Sequence, residues 1–92
     1  MNLMKYRFEL GTSLERMLNE DQVGSIKDSL PHARRYLNLL VQRLEKDLDD
    51  EVRKEESLIN YENPNWALLQ AESLGYRRAL RDVIKTIRPI EE

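Results

Sequence analysis

The chain predicts a mainly helical domain built on a long antiparallel hairpin, with a short N-terminal helix and an N-terminal extended arm or strand. Two helical patterns and one short break predict it. Leu30, Ala33, Leu37, Leu40, Val41, Leu44, Leu48 and Val52 follow three- and four-residue steps. So do Trp66, Leu69, Tyr76, Leu80, Val83 and Ile87, with Ser73 the one polar interruption. Only Asn60-Tyr61-Glu62-Asn63 separates the two sets, and so short a connection makes them antiparallel neighbours.

Each element has its own signals. Met4, Tyr6, Phe8 and Leu10 alternate with Lys5, Arg7 and Glu9 and are closed by Gly11, the period of a short strand. The residues leave a helical reading open. No second strand is visible, so a strand here needs a partner chain, or the segment lies as an arm across the helices. Thr12-Ser13-Leu14-Glu15 matches a capping box, opening a short helix through Leu14, Met17 and Leu18 that ends near Asn19. Val23 and Ile26 suggest another turn or two, weakened by Gly24 and Ser25. Ser29 then caps the long helix, with Pro31 in its first turn. That helix runs to about Ile59, on the order of 45 Å at ~1.5 Å per residue. Asn63 caps the last helix with Pro64 at its first position, and Pro89 stops it. Residues 1–11 are thus an arm and residues 12–92 the hairpin, in a single domain.

Length and composition narrow the classes. A chain of 92 residues is one domain with a modest core, for which oligomerisation is a natural source of added stability. The absence of cysteine excludes disulfides and thiolate metal sites and fits a reducing cytoplasm. No apolar run approaches the ~20 residues of a membrane span, so no membrane association is expected.

The net charge of -2 conceals segregation. Asp47, Asp49, Asp50, Glu51, Glu55 and Glu56 lie near the turn, while Arg34, Arg35, Arg77, Arg78, Arg81, Lys85 and Arg88 gather towards the free end. Folding the chain about the break also brings Ser73 near Glu51, a candidate polar layer with Arg77 or the Tyr76 hydroxyl helping. A rod with opposite charges at its ends can pair with an antiparallel copy of itself. Ala67, Ala71, Gly75 and Ala79 add a line of small side chains that lets another backbone approach, unless the short N-terminal helix packs there. Gly75 costs about 1 kcal/mol relative to Ala in mid-helix, which implies an offsetting gain. Self-association through this line is the expectation.

Contact rather than chemistry is what these residues advertise. His32 is the single histidine and sits in a helix's first turn, with no nucleophile arrangement around it. Asp47, Asp50, Glu51 and Glu55 share a helix face, but no Glu-x-x-His accompanies them, and a solvated acidic face is the ordinary explanation. No phosphate loop or cofactor fingerprint occurs. The expectation is a non-enzymatic binding protein without metal or cofactor. Its partner-binding candidates are Arg77, Arg78, Arg81, Lys85, Arg88, Arg34 and Arg35, together with Trp66 and Tyr61, which flank the turn. The alternative is a nucleic-acid-binding module that uses the basic end.

The runs Asn63-Pro64-Asn65-Trp66, Leu69-Gln70-Ala71-Glu72, Gly75-Tyr76-Arg77-Arg78-Ala79-Leu80 and Val83-Ile84 resemble the ends of small accessory proteins of tailed bacteriophages. The resemblance covers only the C-terminal quarter and carries no functional residues. It implies a stoichiometric inhibitor, an adaptor or a minor virion component in the cytoplasm of a bacterial host, bound to a host or virion protein.

Overall fold

Asn19 and Gln22 set the start of the longest element. In the computed structural model, which describes residues 5–57 and 65–92, the Gln22 N–H donates to Asn19 Oδ1 at 2.9 Å. The Asn19 N–H donates back to Gln22 Oε1 at 3.1 Å. This reciprocal cap satisfies two amides that a helix start would otherwise leave open. Glu20 and Asp21 in the first turn suit its positive end. Counting elements in chain order as β1 (Tyr6–Phe8), α1 (Thr12–Glu15), α2 (Glu20–Ser57), α3 (Trp66–Ile87) and β2 (Pro89–Glu91), α2 takes 38 residues without a break. At ~1.5 Å per residue it spans the molecule's whole 57 Å length.

The expected start at Ser29 is therefore corrected by about two and a half turns. Ser29 caps nothing; its hydroxyl donates to the Ser25 carbonyl at 2.9 Å. Pro31 lies inside the helix, where it removes one amide donor. Pro31 and Lys27, whose carbonyl loses that donor, are both exposed, so water can replace the missing bond. The helix end near Ile59, the cap Asn63, Pro64 and the turn residue Tyr61 lie outside the described residues. Within them, α3 begins at Trp66 with Asn65 at its N-cap.

The N-terminal segment does form a strand, and its partner comes from the same chain. β2 pairs antiparallel with β1 in the register Tyr6↔Glu91, Arg7↔Ile90 and Phe8↔Pro89. Pro89 thus ends one element and opens another. Arg88 makes the reversal possible by adopting the left-handed conformation at φ 60° and ψ 56°. The Glu9 N–H then donates to the Arg88 carbonyl at 3.3 Å and the Glu92 N–H to the Lys5 carbonyl at 3.1 Å. Pro89 lacks an amide donor, so it blunts the outer edge of the two-stranded sheet.

The capping box at Thr12 is not formed. α1 begins at Thr12 itself, with Gly11 at the cap position, so no hydroxyl stands where a cap needs one. Backbone bonds serve instead: the Gly11 carbonyl accepts from Leu14 at 3.1 Å and from Glu15 at 2.9 Å. Gly11 is buried against the end of α3, and a Cβ there would meet the Thr86 carbonyl oxygen at 3.3 Å. A close backbone approach is what glycine supplies at this point.

The core sits where the sheet meets α2. Tyr6, Phe8 and Val41 are buried together, with Leu30, Leu37 and Ile87 packed on them. The Tyr6 and Phe8 rings meet edge to face with centroids 6.4 Å apart. Along α3 the buried positions are Ser73 and Leu80, while Tyr76 and Val83, expected in the seam, are each 48% exposed.

Candidate functional site

A polar latch holds β1 on α2. Asn38 is one helical turn after Arg34, and its side chain is fully buried at 0% exposure. The Tyr6 N–H donates to Asn38 Oδ1 at 2.8 Å. Asn38 Nδ2 donates to the Tyr6 carbonyl at 2.8 Å and to the Arg34 carbonyl at 3.0 Å. The amide thus offers β1 the donor and acceptor that a neighbouring strand would have offered. Arg34 reinforces the arrangement: its Nε donates to the same Tyr6 carbonyl at 2.8 Å, and its guanidinium pairs with Glu92.

The Tyr6 hydroxyl donates to Glu45 and lies beside Lys5, whose ammonium is 5.0 Å from the ring centroid. Burial, and then the Glu45 hydrogen bond, hold the Tyr6 phenol above its usual 10.0. A folded-state value raised above the unfolded one adds stability that is present at neutral pH and is lost as pH rises through 10 towards the folded value. Unfolding titrations of wild type and Tyr6→Phe should therefore converge above pH 10, because only the wild type loses this contribution. Parallel curves would contradict it.

The four small residues named in the sequence are all exposed. Ala67, Ala71, Gly75 and Ala79 lie on the side of α3 turned away from Ser73 and Leu80, and a Cβ on Gly75 would meet nothing within 4 Å. The short helix α1 does not pack on them; Gly11 at its start meets the end of α3 at Thr86. Leu68 and Leu74 flank the line at 60% and 46% exposure. Trp66 is half-buried at the start of α3.

The basic candidates divide. Arg78, Arg81 and Lys85 are exposed on α3, Arg88 just past its end and Arg35 on α2, without ion pairs among the described residues. Arg77 is half-buried. Arg34 is drawn into the latch, so the structure removes it from the basic surface. Of the acidic candidates, Asp47 pairs with Arg43 at 3.2 Å and Asp50 with Lys46 at 3.0 Å. Among the described residues no three His, Asp or Glu side chains converge on one point.

Two cavities lie outside these candidate surfaces. One is an apolar groove of about 340 Å³, lined by Leu10, Leu14, Met17, Ile26, Leu30 and Ile87 among others. It forms where β1 leads into α1 and the ends of α2 and α3 meet, and Met17 stands 78% exposed beside it. Three separate chain segments build it, so no local pattern announces it. The other is a polar cleft of about 370 Å³ between α2 and α3, lined by Glu51, Lys54, Leu69, Glu72, Ser73 and Tyr76. Here hairpin geometry had already placed Ser73 near Glu51, with Tyr76 beside them. Ser73 is only 5% exposed, and its Oγ has no hydrogen-bond partner.

In comparisons with known proteins, no family model matches the chain, and no curated protein or solved structure matches it.

Proposed function

We propose that this protein acts by stoichiometric protein–protein contact, without catalysis, and that one of its partners is a second copy of itself. The observation that carries this reading is the surface the chain leaves open. It exposes 7157 Å², against roughly 5,600 Å² for a compact folded chain of its 11.0 kDa mass. Its radius of gyration of 17.3 Å exceeds the ~12 Å of a compact domain this size. The excess area, on the order of 1,500 Å², is ample for the ~800 Å² per partner of a stable interface. The outer face of α3, with Leu68 and Leu74 beside Ala67, Ala71, Gly75 and Ala79, is the part best suited to a close helix–helix approach. The groove at Met17 is a second apolar surface left open. Exposed cations at Arg78, Arg81, Lys85 and Arg88 supply a charged rim for a further protein. A bacteriophage accessory protein, bound to a host or virion protein in the bacterial cytoplasm, is the setting we assign to it.

Mass measured by light scattering tests the self-association. The wild type at high micromolar concentration should have the mass of two chains, and Gly75→Leu the mass of one. Leucine favours helix by about 1 kcal/mol over glycine and meets open space within the monomer, so melting of the separated chain should not fall. A monomeric wild type would remove the reading.

A second reading rests on the same exposed cations, which lie along α3 and at its end without ion pairs among the described residues. Nucleic-acid binding predicts retention of DNA or RNA that weakens steeply with salt and is abolished by Arg78→Glu, Arg81→Glu and Lys85→Glu together. Protein retained equally from nuclease-treated and untreated lysate favours the first reading.

A further inference from the structure

The cleft between α2 and α3 carries a set of polar groups that the fold itself does not use. Ser73 Oγ is buried and lacks a partner, an arrangement that leaves its full desolvation penalty unrecovered. Glu51, half-buried across the cleft, makes no hydrogen bond or ion pair with any described residue. Nor do Glu72 and the Tyr76 hydroxyl at its rim. Buried polar groups in a folded chain are almost always satisfied, so an unsatisfied Ser73 hydroxyl beside the half-buried, unpaired Glu51 carboxylate points to a partner from outside the fold.

The chemistry of these groups selects the occupant. Two carboxylates against the single ammonium of Lys54 leave the cleft negative, and the carboxylates can only accept hydrogen bonds. Lys54 cannot match both, so there is room for a further cationic donor. Leu69 and the Tyr76 ring supply apolar wall beside them, which suits a flat organic cation or its alkyl stem. A hydrated metal ion would gain nothing from that wall. We infer that the cleft formed by Glu51, Ser73 and Tyr76 binds a guanidinium group. Glu51 accepts its paired N–H donors, Ser73 Oγ takes a further donor, and Tyr76 covers the planar face. A guanidinium offers several donors in one plane and stays charged at every accessible pH, so one group can satisfy several of these acceptors together. The source is either a free alkyl guanidine or an arginine side chain presented by another protein. Neither source requires that the chain pair with itself, so the inference stands or falls apart from the dimer.

The test is an amide NMR titration of the full chain with agmatine, with a short arginine peptide, and with the same peptide carrying neutral citrulline. Saturable shifts clustered at Glu51, Ser73 and Tyr76, on the order of millimolar in affinity, are expected for agmatine or for the arginine peptide. Shifts with agmatine alone identify a free guanidine; shifts with both admit the arginine side chain. Citrulline should give none. Glu51→Gln should weaken binding by about tenfold or more, the loss of one charge-assisted contact. Ser73→Ala is the sharper variant. It deletes an unsatisfied buried hydroxyl, so the empty protein should melt higher while its guanidinium affinity falls several-fold. A Ser73 that merely fills space would leave affinity unchanged, which would overturn its role. Absence of saturation would overturn the inference entirely. So would equal shifts with citrulline, or shifts spread along residues 47–56 that persist in Glu51→Gln, since those report only counterions attracted to an acidic helix.

Discussion

Replacing Asn38 with leucine should release the N-terminal strand from the helices. The two side chains share the same branching and number of heavy atoms, so the change deletes the bonds, and the larger methyl groups add crowding rather than a cavity. Asn38 accepts from the Tyr6 N–H at 2.8 Å and donates to the Tyr6 carbonyl at 2.8 Å, in a site with no solvent exposure. Without it the Tyr6 amide has no acceptor, while the carbonyl keeps only the Arg34 Nε. A buried orphan donor costs about 1–3 kcal/mol and each lost bond about 1 kcal/mol more, so a loss on the order of 3 kcal/mol is expected. That is a large share of the ~5–15 kcal/mol that holds a domain of this kind. Urea unfolding gives the stability change, and hydrogen exchange at the Tyr6 amide gives its location. Unchanged exchange at Tyr6 would mean that the latch does not carry the strand.

Phe8→Ala should be as damaging by a different route. Its ring is buried among few residues, with Tyr6 and Val41 as its buried neighbours. A thin core cannot collapse around the lost ring, so about 3 kcal/mol or more should go. Near-UV circular dichroism and urea unfolding would register it, and near-native stability would show that the core lies elsewhere. The double variant Asn38→Leu/Phe8→Ala is the informative comparison. Once either change frees β1, the other has little left to remove, so their effects should sum to less than the two single losses.

What the sequence made legible follows from range. The stripe from Leu30 to Val52 and the spacing from Trp66 to Ile87 are local, repeated signals, and both helices are where they indicate. The alternation at Tyr6 and Phe8 was equally local and became a strand. β2 was not legible, because Pro89 reads as a stop and three residues carry no period. Its pairing depends on a contact between distant parts of the chain. α2 starts upstream of Ser29 because the Asn19–Gln22 cap prevails over the strong local cap signal of Ser29 and Pro31. Asn38 sits between Leu37 and Leu39, where a polar residue looks like the wet edge of a stripe. Only the strand laid over it makes it interior. Of the two cavities, the polar cleft followed from folding the hairpin, since Ser73 and Glu51 belong to the two helices it joins. The Met17 groove needed segments whose convergence no periodicity encodes.

The junction of β1 with β2 also sets an order of events on the ribosome. Tyr6 and Phe8 leave the exit tunnel before Ile90 and Glu91, which are made roughly eighty residues later, a very long-range closure for so small a domain. α2 can lengthen and offer Asn38 to the waiting segment during synthesis, but the sheet cannot close until translation has passed residue 91. The last stitch of the fold therefore joins a stretch of the nascent chain to one made roughly eighty residues after it. Until then the two aromatic side chains depend on the helices alone, chiefly α2, for shelter from other nascent chains and chaperones.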